Sequence, residues 1–233
     1  MSVINAKTRA AVPAVPAVPA EPRWRRRKDE RPAEIIAAAL ASFAERGFAA
    51  TRLDDIARRA GVTRGTLYLY FASKEELFKA VVRQRLLPVL EHGEQMMAMA
   101  GDISTPVLLA RLIEAFPDMV IGTPISAIPK LVISEAGNFP DLARFYLDEV
   151  IGRGRRLLKA VIARGVARGE FRAVPDDAFF LVVAPMLLTM LWQHSLGRYD
   201  KGMLDPRRLA RTHADLLLHG LMKPEARLKQ EMQ

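Results

Sequence analysis

The sequence predicts an all-α protein. Three observations carry that prediction. Apolar residues recur at spacings of three and four from Asp29 to Met222, no segment sustains the alternation of a half-buried strand, and glycines and prolines punctuate the pattern at helix lengths. With 233 residues, 50% of them hydrophobic and 26% charged, the chain has enough apolar material for one sizeable core or two small ones. The absence of cysteine excludes a disulfide framework, a cysteine hydrolase and a thiolate metal site.

Residues 1–22 contain the Ala-Val-Pro repeat Ala11 to Ala20, which favours extended polyproline conformations and cannot form the apolar helix of a signal peptide. They run into the basic cluster Arg23, Arg25, Arg26, Arg27 and Lys28, so residues 1–28 read as a disordered basic arm, either lying along phosphates or simply solvated. The net charge is +9, and residues 1–32 hold eight basic groups against three acidic ones, which favours a polyanionic partner.

From Asp29, with Pro32 in its first turn, a helix buries Ile35, Ile36, Ala39, Leu40 and Phe43 and ends at Gly47. Thr51 to Asp54 matches a capping box and opens a short helix carrying Ile56, Ala57 and Ala60 inward as far as Gly61. Thr63 is placed to cap a third helix, and Ser73 to Glu76 is a second capping box for a fourth helix that bends or stops at Pro88. Farther on, Asp141 to Glu170 reads as one long amphipathic helix, followed by Ala178 to Leu196 and Pro206 to Met222. The uncharged run Ala178 to Gly197 is broken by Pro185, Gln193 and His194, and reads as a buried helix rather than a membrane span.

The second and third helices and the bend at Gly61-Val62 have the spacing of a helix-turn-helix, a geometry also common in proteins that never touch DNA. The residues around it are more specific. The run Gly47-Phe48-Ala49-Ala50-Thr51 through Leu53, Ile56-Ala57, Ala60-Gly61-Val62-Thr63, Gly65, Leu67-Tyr68, Tyr70-Phe71 and Ser73 to Leu77 closely resembles the DNA-binding domain of the TetR family of bacterial transcriptional regulators. The resemblance implies a three-helix DNA-binding head at residues 29–75. It also implies a helical domain at 76–224 that binds a small molecule and dimerises through its last two long helices, with 225–233 as a tail.

On this reading the partners are a double-stranded operator, a second copy of the chain and a small-molecule effector. The location is cytoplasmic, with no membrane, cofactor, metal or catalytic residue. A helix starting after Thr63 directs Arg64, Gly65 and Thr66 at base edges, with Arg64 suited to guanine and Thr66 to a thymine methyl or a phosphate. Tyr68, Tyr70 and Lys74 suit phosphates, and Thr51 and Arg52 anchor the other side. For each there is a duller role: the tyrosines can close the small core, Arg64 can be solvated, and Gly65 can merely ease packing.

In the C-terminal domain, Phe116, Met119, Met186, Met190 and Trp192, with His194 as a polar handle, are candidates to line an apolar effector cavity, although such a stripe also suits an ordinary core. Gly152 to Leu157 begins like a dinucleotide fingerprint but lacks the third glycine and a preceding strand. His92, His194, His213 and His219 show no zinc spacing. Two rivals remain at this stage: a helical enzyme or carrier with a structural helix-turn-helix, and a nonspecific nucleic-acid binder using the basic arm.

Overall fold

A computed structural model describes residues 23–223, apart from 201 and 203. Helix α1 (Arg23–Arg46) starts six residues earlier than the sequence pattern suggests. The basic cluster therefore lies on the first turns of a helix rather than on an extended arm, and Pro32 sits inside the helix instead of in its first turn. The chain leaves α1 at Gly47, whose φ of 84° turns the backbone and whose N–H reaches the Phe43 carbonyl at 2.9 Å.

Helix α2 (Leu53–Arg59) closes through Gly61 at φ 65°, with the Val62 N–H on the Ala57 carbonyl at 3.0 Å. Helix α3 (Arg64–Tyr70) is capped by Thr63, whose hydroxyl accepts from the Thr66 N–H at 3.1 Å. Helix α4 (Lys74–Val81) is capped in the same way by Ser73, which accepts from the Glu76 N–H. It passes through a π-helical segment, Val82–Leu86, into α5 (Leu87–Ala98), so the helix runs on past Pro88 instead of stopping there.

The body continues with α6 (Thr105–Met119), a 3₁₀ turn at Pro124–Ala127, α7 (Ile128–Glu135) and α8 (Pro140–Tyr146). A second π segment, Leu147–Ile151, joins α8 to α9 (Gly152–Ala167), so the expected long helix is continuous but locally widened. Helices α10 (Ala178–Gln193) and α11 (Pro206–Leu221) complete the body. Among the described residues there is no strand, only an isolated bridge between Phe171 and Met222. Among the described residues no single helix is long and apolar enough to cross a membrane.

The apolar residues form two cores. The first is centred on Phe43, Phe48 and Phe78 of the head, whose rings lie 5.4–5.6 Å apart in tilted or edge contacts, and it extends to Ile128 and Leu131 of α7 and Leu142 of α8. The second joins Leu108, Leu109 and Ile113 of α6 to Val161 of α9, Val182 of α10 and Ala214 and Leu221 of α11. The head is thus fastened to the body through apolar contact with α7 and α8.

Candidate nucleic-acid interface

Helix α3 turns one side inward, with Leu67 fully buried in the core that also holds Ile56 and Phe43. Its opposite side carries Arg64, Gly65, Tyr68 and Leu69, all exposed. The Arg64 guanidinium is held rather than free: its Nε lies 3.2 Å from Asp54 Oδ1, Nη1 donates to Asp54 Oδ2 at 3.3 Å, and Nη2 donates to the Tyr68 hydroxyl at 3.4 Å. It also stacks over the Tyr68 ring at 5.5 Å. The Tyr68 hydroxyl and then the Asp54 carboxylate push its pKa up, which keeps the group charged. Thr63 and Thr66 face each other through their hydroxyls at 2.9 Å, while Arg52, at the start of α2, is exposed.

Two of the sequence candidates have other work. The three protons of the Lys74 ammonium go to the carbonyls of Phe48, Ala49 and Thr51, at 2.8, 3.1 and 3.2 Å, and the group lies 4.6 Å from the Phe48 ring centre. With its three protons donated to carbonyls, the Lys74 ammonium closes the loop after α1. Thr51 is only 2% exposed; its hydroxyl donates to the Gly47 carbonyl at 2.6 Å, and Arg52 rather than Thr51 stands at the N-cap of α2. The expected capping box at Thr51 to Asp54 therefore does not form. Tyr70 is partly buried against the head's core.

The family model for bacterial regulatory proteins of the TetR family matches residues 35–81, spanning this head from α1 to α4, and a model for a tetracyclin repressor-like C-terminal domain matches residues 108–205. The transcriptional repressor KstR2 of Mycobacterium tuberculosis is 30% identical over 201 residues, covering 84% of this chain and 94% of its own. The chain belongs to the TetR family of bacterial transcriptional regulators. An uncharacterised regulator of Bacillus subtilis, YfiR, is 30% identical over 66% of this chain and 76% of its own. Among solved structures, FadR of Bacillus subtilis in complex with stearoyl-CoA superposes with a TM-score of 0.69 at 21% identity, covering 81% of this chain and 98% of that one. KstR2 and YfiR are transcriptional regulators, and this chain is a DNA-binding transcriptional regulator of the same family.

In this TetR-family protein the six sequence candidates for an effector cavity are not brought together. Phe116 and Met186 line a void of about 10 Å³ beside His213, room for one water molecule at most. The Trp192 indole N–H donates to Asp200 at 3.0 Å, and Met119 and Met190 lie outside that void. His194 lies 2.7 Å from Ser126, which gives its own proton to the Thr123 carbonyl and therefore accepts from His194 Nε2–H. Burial, then nearby Lys130, hold the imidazole below its ordinary pKa, and Lys130 donates to the His194 carbonyl.

A larger cavity lies elsewhere, as an open groove of about 870 Å³ between α9, α10 and α11. Its walls include Ile162, Phe179 and Leu217, and its rim carries Arg155, Arg156, Lys159 and Arg172 beside one carboxylate, Asp176. No local sequence pattern announces it, because its lining is assembled from three helices and a connector. The nearest to a signal is the close alternation of cations with Leu158 and Ile162 along α9.

Proposed function

We propose that this regulator is a cytoplasmic repressor that binds a palindromic operator as a homodimer and is released by a small apolar or amphipathic effector. The observation that carries the reading is the outward face of α3, where a charged, pre-oriented guanidinium, a glycine and a phenol stand exposed beside a threonine-capped helix start. In this reading Arg64 exchanges Asp54 for a guanine edge, and Thr66 contributes its methyl to a neighbouring base. Thr63 and Gly65 let the helix approach the groove floor. Arg52, Tyr68 and Tyr70 contact phosphates.

The homodimer is supported by an apolar stripe on α10 and α11. Phe180, Leu181 and Leu188 on α10 and Leu216 on α11 are all more than half exposed, Leu181 and Leu188 fall seven residues apart on one face, and Leu181 and Leu216 also border the groove between α9, α10 and α11. Two heads so paired read half-sites about 34–36 Å apart, or a multiple of that. The apolar groove with its cationic rim supports an effector with an apolar body and an anionic group, and binding that favours a dimer of different head separation weakens the operator complex.

Selection of bound duplexes from a random pool by the purified full chain tests the reading. A palindromic consensus is expected. Arg64→Ala should then cost about 1–3 kcal/mol and relax discrimination at one position of each half-site. Equal affinity for selected and random duplex would overturn the assignment.

A further inference from the structure

Leu69, in the recognition helix, is 83% exposed, the most exposed large apolar side chain among the described residues. It makes no use of the head's core, which α3 reaches through Leu67 on its other side. A helical side chain leans over the turn that precedes it, so Leu69 stands over the turn that holds Gly65 and Thr66.

Gly65 is equally unexplained by the protein's own packing. It has no positive φ, and a Cβ built there would meet only the Thr63 hydroxyl, at an ordinary 3.9 Å. The fold would therefore accept alanine at this position. A glycine that the fold does not need and an exposed leucine one turn later form a shallow apolar shelf, flanked by the cationic Arg64 and by Tyr68. The flanking cation suits a polyanion. What suits the shelf itself is a flat group presenting one small apolar bump.

Resting on the reading of α3 as the helix that enters the major groove, we infer that Leu69 and Gly65 together read the C5-methyl group of a thymine. Thymine is the base that offers an apolar group on the major-groove edge, so a leucine there selects it by burying the methyl. Gly65 admits the base edge to the helix surface, and Leu69 closes over the methyl from the following turn. Leu69 is thus a specificity residue that forms no hydrogen bond, and it complements the polar contacts proposed for Arg64.

The test uses the duplex recovered by selection, with each thymine replaced singly by deoxyuridine, which removes the methyl and leaves base pairing intact. Wild-type protein should lose about three- to fourfold in affinity at one thymine of each half-site, the value of roughly one buried methyl group. Leu69→Ala should bind thymine and deoxyuridine equally at that position, with an unchanged melting temperature because the side chain is exposed. Gly65→Ala should fold as stably as wild type and lose at least tenfold in operator affinity. If the wild type binds its operator but no deoxyuridine substitution alters affinity, or if Leu69→Ala retains the full deoxyuridine loss, the inference fails while the DNA-binding reading stands. Failure of the wild type to prefer any duplex would overturn both.

Discussion

Lys74 and Arg52 are both cations of the head, but the structure places them differently. Lys74 satisfies three carbonyls of the loop after α1, one of them on the buried Phe48, whereas Arg52 stands exposed at the start of α2. Lys74→Met leaves those carbonyls without a charged donor and should lower unfolding stability by about 2–3 kcal/mol, read from urea denaturation. Arg52→Ala should change stability by less than about 0.5 kcal/mol. It should instead weaken binding to all duplexes alike and reduce the salt dependence by about one counterion. A stability loss in Arg52→Ala, or a uniform loss of DNA affinity without destabilisation in Lys74→Met, would reverse these roles. Sequence alone placed both residues near phosphates because a lysine at a helix start matches an anion site as well as it matches a loop clamp. The choice depends on Phe48, Ala49 and Thr51, which lie 23–26 residues away along the chain.

Between helices, the joints are set by close approach and by caps supplied from a distance. Gly165 of α9 lies against the ring of Phe171, itself fully buried; a Cβ there would sit 2.2 Å from the Phe171 Cδ2, closer than any real contact. Gly165→Ala must therefore displace a packed aromatic ring in the second core and should cost about 1–3 kcal/mol by calorimetry. In the head, away from such contacts, Gly65→Ala should be neutral for folding. If Gly165→Ala melted like wild type, the tight seat of Phe171 on α9 would be wrong. Local caps were the legible helix signals, because Thr63 and Ser73 act through short spacing alone, whereas α1 starts six residues earlier than its pattern suggests, the box at Thr51 does not form, and Pro88, expected to bend or stop its helix, lies within a rod that runs on past it. Where the partner comes from far along the chain, local spacing carries no signal of it. The start of α6 is served by Glu170, which accepts the Thr105 N–H at 3.0 Å. Burial alone would raise the Glu170 carboxyl, but its hydrogen bonds from Thr105 and then Arg168 outweigh that and hold its pKa below the ordinary value. The π segments were also invisible, since widening five residues barely disturbs an apolar period read over thirty.

Across the molecule, the boundary between the two cores does not coincide with the boundary between head and body. The first core runs from Phe43, Phe48 and Phe78 into α7 and α8, and the helical rods that leave it for the second core, α4–α5 and α8–α9, both do so through π segments, at Val82–Leu86 and Leu147–Ile151. Val82, Leu86 and Val150 belong to the first core, whereas Met97 and Leu157 pack on the second. The head and α7–α8 should therefore open and close as one cooperative unit. Phe139, at the turn between α7 and α8, is the cleanest place to test this: its ring meets Phe48 edge-on at 4.8 Å, and nearby Glu135 accepts the Ala49 N–H at 3.2 Å. Phe139→Ala removes a half-buried ring and should cost about 2 kcal/mol, less than a fully buried phenylalanine. In native-state hydrogen exchange, amides of α1, α2 and α3 should lose protection together with those of α7 and α8, while those of α6 and α11 keep theirs. Operator affinity should fall as well, because a head that opens more often presents α3 less often in its binding geometry. Loss of protection confined to α7 and α8, with the head unchanged, would show instead that the three-helix head is stable by itself and that the shared core is only a contact surface.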